Sequence, residues 1–214
     1  MDMRKVVRSS KSEVRSPKFK GIQRFILSAL FLLAIITSGS AQRFRGGVVG
    51  GFNLSQLDGD RLSGFNQPGL QAGGRVAAVL SDRWQLSMEL LFSQQGSSRT
   101  RYDDPSSAYE RIRLNMVEVP VMINFLEWKL HVSAGLSYGR VIDFRVRDAL
   151  GGDVTDLQNY RNSLLLGIVS ATYYFREDLG ISIGWSKALT NLQADKAAGT
   201  LIARNVHVRM IYLW

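Results

Sequence analysis

His131-Val132-Ser133 places an imidazole and a hydroxyl two residues apart, so in a strand they share one face. With Glu118 on a neighbouring strand, they hold the parts of a nucleophile activated by general-base catalysis. The same three side chains serve equally well for packing and interior hydrogen bonding. A second constellation is a set of charged and polar residues, Arg75, Gln85, Glu89, Arg113, Glu118, Lys129, His131, His207 and Arg209. Their parity in the strands described below assigns them inward. Ions buried together must pair, because an isolated buried charge costs several kcal/mol. Their expected chemistry is therefore a lumen ion-pair network rather than a reaction. Other candidates carry less. Asp58-Gly59-Asp60 lacks the following Gly and the distant Glu of a calcium loop and is expected to be a solvated turn. Gly151-Gly152-Asp153-Val154-Thr155-Asp156 is expected to be a turn as well. The chain has no cysteine and only two histidines, which leaves no disulfide framework and no thiolate or histidine-rich metal site. No motif for a phosphate-binding loop or for cofactor binding is present.

The elements that carry these residues have a period of two. The final stretch, Arg204 to Trp214, alternates strictly: Val206, Val208, Met210, Tyr212 and Trp214 lie on one face, and Asn205, His207 and Arg209 on the other. One apolar and one polar face in a last strand ending on an aromatic predict a transmembrane β-strand, lipid outside and a polar lumen inside. This ending resembles the carboxyl-terminal signal that delivers outer-membrane proteins to the barrel-assembly machinery.

Eight strands are expected: 45–54, 69–80, 84–96, 109–125, 128–142, 161–175, 179–189 and 202–214. Short connections (81–83, 126–127, 176–178) alternate with long polar ones (55–68, 97–108, 143–160, 190–201). This is the pattern of an up-and-down antiparallel barrel with short periplasmic turns and long external loops. Both termini then face the periplasm. Trp84, Trp128, Phe175 and Trp214 fall at the periplasmic rim, where aromatics form an interfacial girdle; Trp185 and Tyr212 are expected to face lipid. In the fourth strand Ile112, Leu114 and Met116 lie on one parity, while Val117, Val119, Val121, Ile123 and Phe125 lie on the other. A bulge inside this strand would keep both sets facing lipid, leave Arg111, Arg113 and Asn115 inside, and relieve Pro120. Among the loops, Arg99, Arg101 and Tyr102 are interaction candidates, since Tyr and Arg are common interface anchors.

The amino terminus reads as an export signal. Eight basic and two acidic side chains precede Gln42; Phe25 to Ile36 is apolar; Ser38, Gly39, Ser40 and Ala41 supply small residues for cleavage. The expected division is a signal peptide over 1–41 and a barrel domain over 42–214. Of the formal charge of +9, +6 leaves with the signal, so the basic balance predicts no nucleic-acid partner.

Leu114-Asn-Met-Val-Glu-Val-Pro-Val-Met-Ile-Asn-Phe125 resembles a motif of PorT-like outer-membrane β-barrel proteins, an aromatic- or Leu-Glu-Ile/Val-Pro-Leu core. Gly47 to Ser55 resembles that family's Gly-x-x-x-Gly-x-Asn-x-Ser first strand, and the order of elements agrees over 43–214. Met116-Val117 stands where the family often has an aromatic. The resemblance implies an all-β, eight-stranded outer-membrane barrel, with founding members linked to type IX protein secretion and gliding. The function expected is that of a non-enzymatic structural or interaction component with a side-chain-plugged lumen, in contact with outer-membrane lipid and an envelope protein. Two alternatives stand beside it: a lipid-modifying enzyme using His131 and Ser133, and a soluble lipocalin-like barrel with an apolar interior.

Overall fold

The computed structural model describes residues 43–62, 64–103, 108–157, 160–194 and 199–214. The expected signal peptide lies outside them. Eight strands follow in chain order: β1 (Phe44–Asp58), β2 (Gln67–Val79), β3 (Trp84–Ser98), β4 (Tyr109–Glu127), β5 (Leu130–Asp148), β6 (Ser163–Tyr174), β7 (Leu179–Ala188) and β8 (Ile202–Leu213). Each pairs antiparallel with its sequence neighbours, and β1 pairs with β8 to close the barrel. Closure leaves no open edge, which a strand structure in hydrocarbon requires.

Alternation along the strands sorts side chains by face. Trp84, Leu130, Ile183 and Tyr212 point outward and are 47%, 41%, 58% and 45% exposed, whereas Glu89 and Arg209 are buried inside. This is the reverse of a soluble barrel that holds an apolar ligand. The aromatic rim forms at the end that carries both termini and the short turns. Trp84 meets Phe125 edge-on at 5.1 Å, Trp128 lies 6.3 Å from Tyr173, and Tyr212 lies 6.2 Å from Trp214.

Three expectations are corrected. First, Trp128 does not begin β5. Glu127 pairs with Leu130, so Trp128 and Lys129 form the turn, with Trp128 at φ 53°. Lys129 is exposed there, 5.5 Å from the Trp128 ring, and is no part of the interior. Second, β4 keeps a single phase from Ile112 to Asn124. Ile112, Leu114 and Met116 are fully buried inside, while Arg111 and Arg113 are exposed outside. The bulge lies in the partner strand: Asn115 pairs with Asp143 but Met116 with Val141, so Ile142 is the extra residue. A second shift, between Tyr109 and Arg111, adds Glu110 on β4. Third, the interior is not polar throughout. Towards the long loops, Leu57, Ile112, Leu114, Met116, Val146 and Leu164 join an apolar cluster that Tyr160, Leu192 and Leu201 extend from the connections.

One cause explains the second and third corrections. The apolar exterior ends on β4 at Val117, and the outward strand residues beyond it include Asn115, Arg113 and Arg111 on β4, Gln94 on β3 and Arg204 on β8, all polar. Beyond that border the strands stand in water, so their apolar face turns inward as in any soluble barrel. Leu114→Ala should therefore cost about 2–5 kcal/mol, the range for a Leu truncated in a packed core, read as a shift in the urea midpoint of the folded barrel in vesicles. A lipid-facing Leu114 would leave that midpoint nearly unchanged.

Candidate functional site

The interior of the membrane-embedded part is organised around one carboxylate. Strand parity sends Arg75 of β2, Glu89 of β3 and Arg209 of β8 to the inside, and the register sets Arg75 opposite Glu89. Arg75 Nη1 donates to Glu89 Oε1 at 2.6 Å, and Arg209 Nη1 donates to Glu89 Oε2 at 3.0 Å. Glu89 is 1% exposed, Arg209 2% and Arg75 5%. Each carboxylate oxygen thus takes its own guanidinium, and the pair of bonds ties β2 and β3 to β8 across the interior. Such charge-assisted bonds are about twice as strong as neutral ones, and here they offset the cost of holding three ions away from water.

Neutral polar groups complete the layer. Asn124 Oδ1 accepts from Arg75 Nη2 at 3.2 Å and from Ser133 Oγ at 2.7 Å, while its amide donates to Ser87 Oγ at 3.0 Å. Glu118 is buried and accepts from Gln95 Nε2 at 2.7 Å; Gln71 and Gln95 both donate to Ser93 Oγ. The two parts of the Glu-x-Pro motif have separate duties. Glu118 points inside, and Pro120 lies where the β3–β4 ladder is interrupted, with Val119-Pro120 facing Glu89-Leu90 without paired register. Proline has no N–H to give to that ladder.

The hydroxyl and imidazole that suggested catalysis are not brought together. Ser133 donates to Asn124, and the His131 ring packs against Tyr174 at 4.5 Å between centroids. His131 belongs instead to the floor of the interior, beside a recess of about 420 Å³ at the periplasmic mouth lined also by Arg45, Lys129, Tyr174 and Arg176. His207, on the same interior face as Arg209, lies against Asn205 at 3.4 Å. Of the inward candidates, Arg75, Gln85, Glu89, Glu118, His131, His207 and Arg209 are buried inside; Arg113 and Lys129 are not. Trp185 faces outward at 40% exposure. Among the loop candidates, Tyr102 is 99% exposed and Arg101 is exposed beside it.

Sequence reasoning missed a joint at the loop end. Asp58 of β1 pairs with Arg204 of β8 at the border of the apolar exterior. Next to it, Asp60 is 4% exposed in the β1–β2 connection, where its Oδ1 accepts from Leu62 N at 2.8 Å. Burial pushes the Asp60 carboxyl above its ordinary range, against the opposing pull of the Leu62 amide.

A closed barrel with an apolar exterior and a short-turn end rimmed by aromatics has a counterpart among known families. The family model described as "Outer membrane protein beta-barrel domain" matches residues 38–193. The chain belongs to this family. As an outer-membrane barrel it lies in the outer membrane, its exterior in contact with lipid. Among solved structures, Ail, the attachment invasion locus protein of Yersinia pestis, is similar at 11% identity and a TM-score of 0.50, covering 79% of this chain and 98% of its own. Neisserial surface protein A matches at 11% identity and a TM-score of 0.47, covering 79% of this chain and 96% of its own. No curated protein matches the chain.

Two outcomes follow for the outer-membrane barrel. Glu89→Ala strands two buried guanidinium groups and should cost about 3–5 kcal/mol, seen as a lower urea midpoint in vesicles. Glu89→Gln should recover part of it, since its carbonyl oxygen still accepts one bond. At the loop end, the folded state binds the Asp60 proton more tightly than the unfolded chain does. Stability therefore falls as pH climbs from the ordinary carboxylate value to the raised one. Asp60→Asn keeps the bond from Leu62, should flatten that slope, and should raise the melting temperature at neutral pH; an unchanged pH profile would contradict the assignment.

Proposed function

We propose that this outer-membrane barrel is a non-conducting, non-catalytic component that works through its surface, as a structural or interaction protein. Bonding of Glu89 to both Arg75 and Arg209 is the observation that supports this reading most. An eight-stranded barrel is narrow enough for side chains to fill. Here a bonded polar layer and an apolar cluster occupy its membrane and loop halves in turn. Ser133 is committed to Asn124, which favours a packing role for His131 and Ser133 over lipid modification.

The PorT-like resemblance makes protein export the process in which a partner is to be sought. Arg99, Arg101 and Tyr102 on the β3–β4 connection are the contacts offered to it. Residues 1–41 act as the export signal in this reading, and the terminal strand hands the chain to the barrel-assembly machinery. Purified protein in planar bilayers should show no porin-sized conductance. Steady open-channel currents from the wild type would overturn the plugged reading. Loss of a lipid modification on deletion of the gene, restored by the wild type but not by Ser133→Ala, would favour the enzymatic alternative.

A further inference from the structure

Four arginines that the interior does not use stand together on the outside of the β4–β5 hairpin. Arg111 pairs in register with Arg147, and Arg113 with Arg145. All four are exposed, and together they line a shallow recess of about 90 Å³. Like charges directly opposite on paired strands destabilise a sheet, so two such pairs in succession oppose folding unless an anion sits between them.

The described acids nearby supply it only in part. Asp143 lies 3.9 Å from Arg145 Nε and is already bonded by Asn115 Nδ2 at 3.2 Å. Asp153 bridges to the Arg147 backbone, and its carboxylate takes the Thr155 hydroxyl at 2.5 Å and the Thr155 amide at 3.0 Å. Among the described residues, four guanidinium groups thus surround a recess with two carboxylates at its edge, Asp143 and the Thr155-bonded Asp153, which leaves an excess of positive charge. Guanidinium forks match the oxygens of a phosphate in shape and charge.

Height selects the source of the phosphate. The exposed apolar surface of this hairpin ends at Ile142, level with Asn115 and Met116. Two and four residues further along β4, at about 3.3 Å per residue and a tilt of about 40°, Arg113 and Arg111 stand roughly 5 and 10 Å beyond it. Headgroups occupy about 5–7 Å on each side of the hydrocarbon core, so Arg113 and Arg145 stand level with them, while Arg111 and Arg147 stand just above and reach down with long side chains. The side chains also point away from the barrel, into the space that neighbouring lipid fills.

We propose that Arg111, Arg113, Arg145 and Arg147 form a binding site for the phosphate groups of a phosphorylated glycolipid in the outer leaflet. The test is reconstitution of the full chain in phosphatidylcholine nanodiscs containing lipid A, or lipid A stripped of its phosphates, with retained lipid counted by native mass spectrometry after detergent extraction. Wild type should retain the phosphorylated form about tenfold better than the stripped form, the scale of one or two charge-assisted contacts. R111Q/R147Q and R113Q/R145Q should each abolish that preference, while the charge-matched loop variant R61Q/R161Q keeps it. Equal retention of both lipids by the wild type, or an undiminished preference in both paired variants, overturns the proposal. Displacement of lipid A by inorganic phosphate at concentrations that leave a charge-matched chloride control unaffected would assign the recess to a soluble anion and overturn the lipid source.

Discussion

A peptide group in hydrocarbon has no water to bond, so every strand that crosses a bilayer must be hydrogen-bonded along both edges. Closure of β1 on β8 meets that requirement. The rest of the structure follows from it. Eight strands close on a narrow interior, and side chains that alternate away from lipid are pressed together inside it. Ions in so small a space have to be paired. The Glu89 carboxylate, with a guanidinium on each oxygen, is the form that pairing takes. It joins residues 120 positions apart in sequence, so the same contact that neutralises the interior also links the seam strand β8 to β3.

The second organising fact is a reversal of polarity along the strand axis. Inside the bilayer the exterior is apolar and the interior polar. Past Val117, Phe92 and Val206 the strands leave the hydrocarbon, and the apolar cluster around Leu114 and Leu164 moves to the inside. The barrel is thus a membrane protein in one half and a water-soluble one in the other. No break in β4 is needed to make the change. Its side chains keep one phase from Ile112 to Asn124 while the medium around them differs.

Much of this was legible in the sequence because alternation is strict where lipid is on one side. β3, β5 below Ile142, β7 and β8 were readable strand by strand, as were Arg75, Glu89, Glu118 and Arg209 on the inner face. What failed was the assumption that apolar always means outward. Applied to Ile112, Leu114 and Met116, it demanded a bulge in β4 and sent Arg113 inside. Periodicity reports which residues share a face and not which medium that face meets. The true bulge, at Ile142, leaves no signature beyond two successive outward residues, Ile142 and Asp143. Lys129 was misplaced for a smaller reason: a turn with Trp128 at positive φ has neither glycine nor asparagine to announce it. The joining of Asp58 to Arg204 depends on barrel closure and could not be read locally.

β4 and β5 run on to Tyr109 and Asp148, whereas β6 begins at Ser163 and β7 stops at Ala188. The outer rim is therefore uneven, with a tall flank at β4–β5 and a low one directly beside it at β6–β7. A cylinder with a level rim looks alike to every neighbour in the plane of the membrane. This one has a front and a back, so adjacent molecules can tell its azimuth, and any assembly around it inherits a direction.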